Sequence, residues 1–84
     1  MKLNQIYNIT YQMYDAVFNV KPIYIKIHII QDNFFILYIK HHTTYTDKLL
    51  IRTVNKEPIT ELILINQLEN KLNKLYVRSF YEKI

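Results

Sequence analysis

Residues 22–40, PIYIKIHIIQDNFFILYIK, alternate with a period of two. Ile23, Ile25, Ile27 and Ile29 interleave with Tyr24, Lys26, His28 and Ile30. After a polar break, Phe35, Leu37 and Ile39 interleave with Phe34, Ile36, Tyr38 and Lys40. β-Branched and aromatic residues at this period predict two strands joined by a tight turn. The turn lies within Gln31-Asp32-Asn33, and the two faces decide its length. A two-residue loop at Asp32-Asn33 pairs Ile29 with Ile36 and Ile25 with Lys40, which puts a cation among the isoleucines. A three-residue loop pairs Ile29 with Phe35, Ile27 with Leu37 and Ile25 with Ile39, a wholly apolar face. A slip of one residue would exchange the faces of a strand, so the three-residue loop is expected. Asn33 then takes the position that needs a left-handed backbone, where Asn is the best substitute for Gly.

Helical spacing brackets this hairpin. In residues 4–20, Ile6, Ile9, Met13, Ala16 and Val20 form one stripe, with Tyr7, Tyr11, Tyr14 and Phe18 as a tyrosine shoulder at the core edge. Asn4, Asn8, Gln12, Asp15 and Asn19 cover the opposite side. That is an amphipathic helix, stopped by Pro22. Residues 41–47, HHTTYTD, predict a loop or the flared end of the hairpin. Residues 48–54 predict a third strand with Leu49 and Ile51 inward and Lys48, Leu50 and Arg52 outward. Asn55-Lys56-Glu57-Pro58 is a break, with Pro58 suited to a first helical position. Leu62, Ile65, Leu68, Leu72, Leu75 and Ser79 then recur at helical spacing, flanked by Ile63, Tyr76 and Phe80, as far as about residue 81. Lys71, Lys74 and Arg78 follow one side near the negative end and predict a solvated face matched to the helix dipole.

The expected fold is α+β, in the order α-β-β-β-α. A three-stranded antiparallel sheet buries one face under both helices and leaves the other bare. The 84 residues suit a single domain, 1–84. Half of them are apolar, which argues against disorder.

Composition excludes more than it selects. With no Gly, no Walker A loop or dinucleotide fingerprint can be written. With no Cys, there is no disulfide framework or thiolate zinc site. His41 and His42 are adjacent, so on a strand they point to opposite faces and make no metal pair. Ser79 is the one serine, and the seven carboxylates are scattered. Neither catalysis nor a cofactor is expected. The longest apolar run, residues 34–39, is too short for membrane insertion, and Met1-Lys2-Leu3 does not open a secretory signal, so a cytoplasmic location is expected. The net charge of +4 favours an acidic partner.

The bare face gives that partner a place. Tyr24, Lys26, His28, Tyr38, Lys40, His42, Lys48 and Arg52 are the candidate RNA-binding residues. Lys26 lies opposite Tyr38, and Tyr24 opposite Lys40. Interleaved cations and aromatics suit phosphates and bases.

Double-stranded-RNA-binding domains share this order of elements, but they carry basic residues where this chain reads Glu57-Pro58-Ile59-Thr60-Glu61. The chain resembles more closely, over its whole length, the nine-kilodalton protein family of the signal recognition particle Alu domain. The similar segments are Val17-Phe18-Asn19-Val20-Lys21-Pro22 after the first helix, the Asp-containing turn between an alternating and an apolar strand, Thr46-Asp47 before the third strand, and Leu68-Glu69-Asn70-Lys71-Leu72-Asn73-Lys74-Leu75-Tyr76 in the last helix. The chain departs from the family in a less basic first strand, of which Lys26 is retained, in lacking the turn Gly, and in a longer connection between strands two and three. The resemblance implies a heterodimer with the fourteen-kilodalton subunit, the two sheets joining into one curved sheet. It implies that the basic face binds the Alu portion of the particle RNA and supports elongation arrest, acting on the ribosome indirectly. The alternative is a small protein-binding module, such as a phage or mobile-element inhibitor, acting through its sheet or helix face.

Overall fold

The structure, a computed structural model, describes the backbone of residues 1–42 and 45–82, and the side chains among them except at residues 42, 45 and 80–82. Its elements are α1 (Leu3–Phe18), β1 (Tyr24–Gln31), β2 (Phe34–His42), β3 (Tyr45–Arg52) and α2 (Glu61–Glu82). The strands form one antiparallel sheet in the order β1-β2-β3. The helices pack on each other, α1 also on β1 and α2 also on β3. Phe35, Leu37, Ile39, Leu49 and Ile51 of the inward sheet face form one buried cluster with Ile6, Tyr14, Ile59, Leu64, Leu68 and Leu72. This is the α+β arrangement that the periodicities predict. No helix among the described residues is long and apolar enough to cross a membrane.

The register follows the apolar face as expected: Ile25 pairs with Ile39, Ile27 with Leu37 and Ile29 with Phe35. The turn does not. Gln31 pairs with Phe34, so the turn itself is Asp32-Asn33, and a β-bulge between Ile29 and Gln31 absorbs the extra residue, Ile30. The bulge lets a two-residue turn coexist with the register of a longer loop. It also relieves Asn33 of the left-handed conformation expected there. Positive φ occurs instead at Asn19 (56°) and Lys56 (57°). Asn19 is the C-cap of α1, and its N–H donates to the Asp15 carbonyl at 2.8 Å.

Of the two expectations for residues 41–47, a loop or the flared end of the hairpin, the described residues follow the second and are mostly ladder. His42 pairs with Tyr45 across a register shift, Lys40 with Thr46 and Ile39 with Asp47, while residues 43 and 44 lie outside the described residues. Thr and Tyr fit a pleated surface well enough to carry strand pairing here. The third strand ends at Arg52 rather than at Val54, which is 91% exposed.

Both helices turn part of their expected stripes to the core, Ile6, Ile9 and Met13 in α1 and Leu68, Leu72 and Leu75 in α2, but the fully buried series is rotated from the predicted phase. In α1 the buried series is Ile6, Thr10 and Tyr14, while Ala16 and Val20 face solvent. Thr10 can be buried because its hydroxyl donates to the Ile6 carbonyl at 2.7 Å, leaving its methyl to the core. Tyr14, placed at the core edge by periodicity, is fully buried and stacks on Phe18 at 4.5 Å between ring centroids. In α2 the buried series is Leu64, Leu68 and Leu72, and Leu62 is exposed. The helix begins after Thr60, not at Pro58: the Ile63 N–H donates to Thr60 Oγ1 at 3.3 Å. The Ile59 N–H donates to the Asp32 carbonyl at 2.9 Å. That bond holds the buried Ile59 against the hairpin turn just ahead of the helix.

The Tyr14 hydroxyl is buried without a hydrogen-bond partner. Burial, and secondarily the Asp47 charge, pushes its pKa up from 10.0 to about 12. An unpaired buried hydroxyl costs about 1–3 kcal/mol. Tyr14→Phe should therefore raise the unfolding free energy at neutral pH, by about 1 kcal/mol. Below pH 10.0 the proton is held in both folded and unfolded chains. Between 10.0 and about 12 the unfolded chain releases it first, so the wild type loses up to about 1.4 kcal/mol per pH unit and the Phe variant does not. Denaturant titrations of both proteins at pH 7 and pH 11 check this. A Phe variant weaker at pH 7 would mean that the hydroxyl is bonded.

Candidate nucleic-acid interface

Because successive strand residues alternate faces, the inward row that builds the core fixes what stands outward. The outward residues of β2 are Phe34, Ile36, Tyr38 and Lys40, all half-buried between neighbours on both sides. Tyr38 pairs with Lys26 on one side and Lys48 on the other. Lys40 pairs with Tyr24 and Thr46, and its Nζ stands 5.8 Å from the centroid of the Tyr24 ring. That distance is a cation–π contact, so the Lys40 stem lies on the sheet while its charge stays at the surface. Ile36 pairs with His28 and Leu50, and Phe34 with Arg52. None of these outward residues is a carboxylate.

Seven of the eight expected residues thus share one face: Tyr24, Lys26 and His28 on β1, Tyr38 and Lys40 on β2, Lys48 and Arg52 on β3. The side chain of His42, the eighth, lies outside the described residues. Phe34, Ile36 and Leu50 were not among the expected residues, although the same alternation places them there. They divide the face into a cationic, aromatic half around Tyr38 and an apolar half beside the β1–β2 turn, bordered by His28 and Arg52.

His41 turns the other way. Its Nε2 meets Asp47 Oδ2 at 2.6 Å, and its ring lies 5.8 Å from Tyr14 and 5.7 Å from Phe18. This pair ties the far end of the β2–β3 ladder to the C-terminal turn of α1. Among the described residues, no cluster of His, Cys, Asp and Glu could hold a metal ion.

The sheet edges differ. The Thr53 N–H donates to the Asn33 carbonyl at 3.1 Å, so odd positions of β2 bond β3 and even ones bond β1. Through the register, Ile25, Ile27 and Ile29 direct their amides to the open edge of β1. On β3 the corresponding edge groups of Arg52 are taken by α2. The Arg52 N–H donates to Gln67 Oε1 at 3.2 Å, and Gln67 Nε2 donates to the Arg52 carbonyl at 2.8 Å. One side-chain amide thus replaces a strand neighbour at that residue.

No family model, curated protein or solved structure matches this chain. What the face does has to follow from its chemistry.

Removing the Gln67 amide should reopen the β3 edge. Gln67→Ala is expected to speed hydrogen exchange at the Arg52 amide by about tenfold, the loss of one hydrogen bond of about 1.4 kcal/mol. An unchanged Arg52 amide in the variant would mean that the edge is protected by something else.

Proposed function

We propose that this protein is a non-catalytic RNA-binding subunit that holds its ligand on the uncovered sheet face. The observation that carries the reading is Tyr38 flanked by Lys26 and Lys48, on a face without carboxylates and without a covering helix. The lysines supply point charges for phosphates, and Tyr24 and Tyr38 supply rings against which unpaired bases stack. Nothing on the face builds a base-specific pattern of donors and acceptors, so the strand's shape and backbone are read rather than its sequence.

The resemblance to the nine-kilodalton signal recognition particle family extends this proposal. On that reading the chain is cytoplasmic and pairs with the fourteen-kilodalton subunit. The pair binds the Alu portion of the particle RNA and supports elongation arrest. The open edge of β1 is the place for such pairing, since Gln67 occupies part of the β3 edge. Hydrogen exchange should show β1 amides slowed by the partner; slowing on β3 alone would contradict the pairing. The apolar half of the face, with Phe34, Ile36 and Leu50, favours the second reading, a protein-binding module.

Binding to a single-stranded RNA of about 12 nucleotides separates the two. Each phosphate neutralised on a single strand contributes about 0.7 to the slope of log affinity against log salt. Replacing Lys26, Lys40, Lys48 and Arg52 together by Gln should lower that slope by about 3 and leave the melting temperature nearly unchanged. Wild-type RNA affinity and slope in the folded variant would remove the sheet face from RNA binding. Absence of RNA binding by the wild type would favour the protein-binding reading.

A further inference from the structure

A second cationic feature lies round the edge of the sheet. The free side of β3 and the flank of α2 border an open cleft of about 420 Å³, lined by Leu50, Arg52, Gln67, Asn70, Lys71 and Lys74. The Gln67 amide bonded to the Arg52 backbone fixes the two walls relative to each other. Three of the six lining residues are cations and none is a carboxylate. Among the described residues, no acid pairs with Arg52, Lys71 or Lys74.

A solvated helix face does not require this arrangement. Helical spacing alone would let Lys71 and Lys74 disperse into water, but the fold sets them opposite Arg52 across one concavity. Like charges gathered round a concavity repel each other and focus a positive potential into it, which an anion relieves. The guanidinium fork of Arg52 suits phosphate oxygens, the two ammonium groups add charge without fixed geometry, and the Asn70 amide is a further donor. Leu50 and Arg52 belong to the outward sheet face as well as to the cleft. The cleft is therefore the continuation of that face, not a separate pocket behind it.

We propose that the cleft is a phosphate site for the same RNA strand that lies on the sheet. The strand turns round the β3 edge, and its backbone phosphates settle between Arg52, Lys71 and Lys74. This rests on the reading of the sheet as an RNA surface, and the test keeps the two apart.

Arg52 serves both surfaces, so the diagnostic variant is the full-length chain with Lys71→Gln and Lys74→Gln. The probes are an oligouridylate of about 12 nucleotides and inorganic tripolyphosphate. RNA should shift the side-chain amide resonances of Gln67 and Asn70 together with the backbone amides of Lys26, Tyr38 and Lys48. In the double variant the Gln67 and Asn70 shifts should vanish and the others persist. The salt slope should fall by about 1.4, two phosphates at about 0.7 each. Wild-type slope and affinity in the double variant would overturn the cleft and leave the sheet reading intact. RNA shifts confined to Gln67 and Asn70 would uphold the cleft and overturn the sheet reading. Shifts from tripolyphosphate with none from RNA would overturn the RNA path and assign the cleft to a free phosphate ligand. Shifts from neither probe would overturn it outright.

Discussion

The row Ile27–Leu37–Leu49 across the sheet is the constraint on which the rest of the molecule depends. Leu37 is fully buried at its centre, in one cluster with Leu64, Leu68 and Leu72 of α2 and Ile6 and Tyr14 of α1. A sheet of three strands has few residues with which to close a core, so the inward row of β2 is filled: Phe35, Leu37 and Ile39 are buried and His41 is half-buried against α1. Both helices must then lie on that side, because only there is apolar surface sufficient to hold them. The opposite face stays open because the described residues supply no third layer to cover it.

The pleat makes the open face a consequence of the core. If Ile27 and Leu37 face inward, Lys26 and Tyr38 face outward, and the same parity on β3 sends Lys48 outward beside Leu49. The cation–aromatic–cation row is the reverse side of the core row, displaced by one residue. A register slip would therefore damage stability and the candidate interface together. The bulge at Ile30 keeps them coupled. It allows the tight Asp32-Asn33 turn without shifting the pairs beyond it, and it places the Asp32 carbonyl where the Ile59 amide can anchor the approach to α2.

This also explains what could be seen in the sequence. A strand offers only two faces, so an alternation as clean as that of residues 23–29 settles the register and the outward set together. A helix offers a continuous range of rotations. In a chain where half the residues are apolar, neighbouring rotations score nearly alike. Thr10 can face the core from α1 because its hydroxyl bonds the carbonyl of Ile6, which hydropathy does not register. The approach to α2 is anchored from outside the helix, at Ile59, through a bond to a residue 27 positions earlier. The β3–α2 cleft was hidden for the same reason. Lys71 and Lys74 have the ordinary spacing of a solvated flank, and it is the packing of α2 with the Gln67–Arg52 pairing that sets that flank beside the sheet edge. Hydrophobic alternation was legible; the polar bonds that hydropathy does not register were not, whether four residues apart as in Thr10–Ile6 or between distant segments as in Ile59–Asp32 and Gln67–Arg52.

That side chain also makes the two edges of the sheet unequal. Gln67 satisfies both backbone groups of Arg52 and occupies the space a neighbouring strand would need, so β3 is a poor place to extend the sheet. Along β1 the amides of Ile25, Ile27 and Ile29 point outward, with Ile23, Ile29 and Ile30 exposed nearby. A strand added there would pair those amides and shelter the isoleucines. Because added strands continue the same pleat, it would also widen the outward face on the side of Lys26 and Tyr24. The cleft beside β3 would stay open at the opposite edge. Pairing at one edge and anion binding at the other would not compete for surface, because α2 closes part of one edge and leaves the other free.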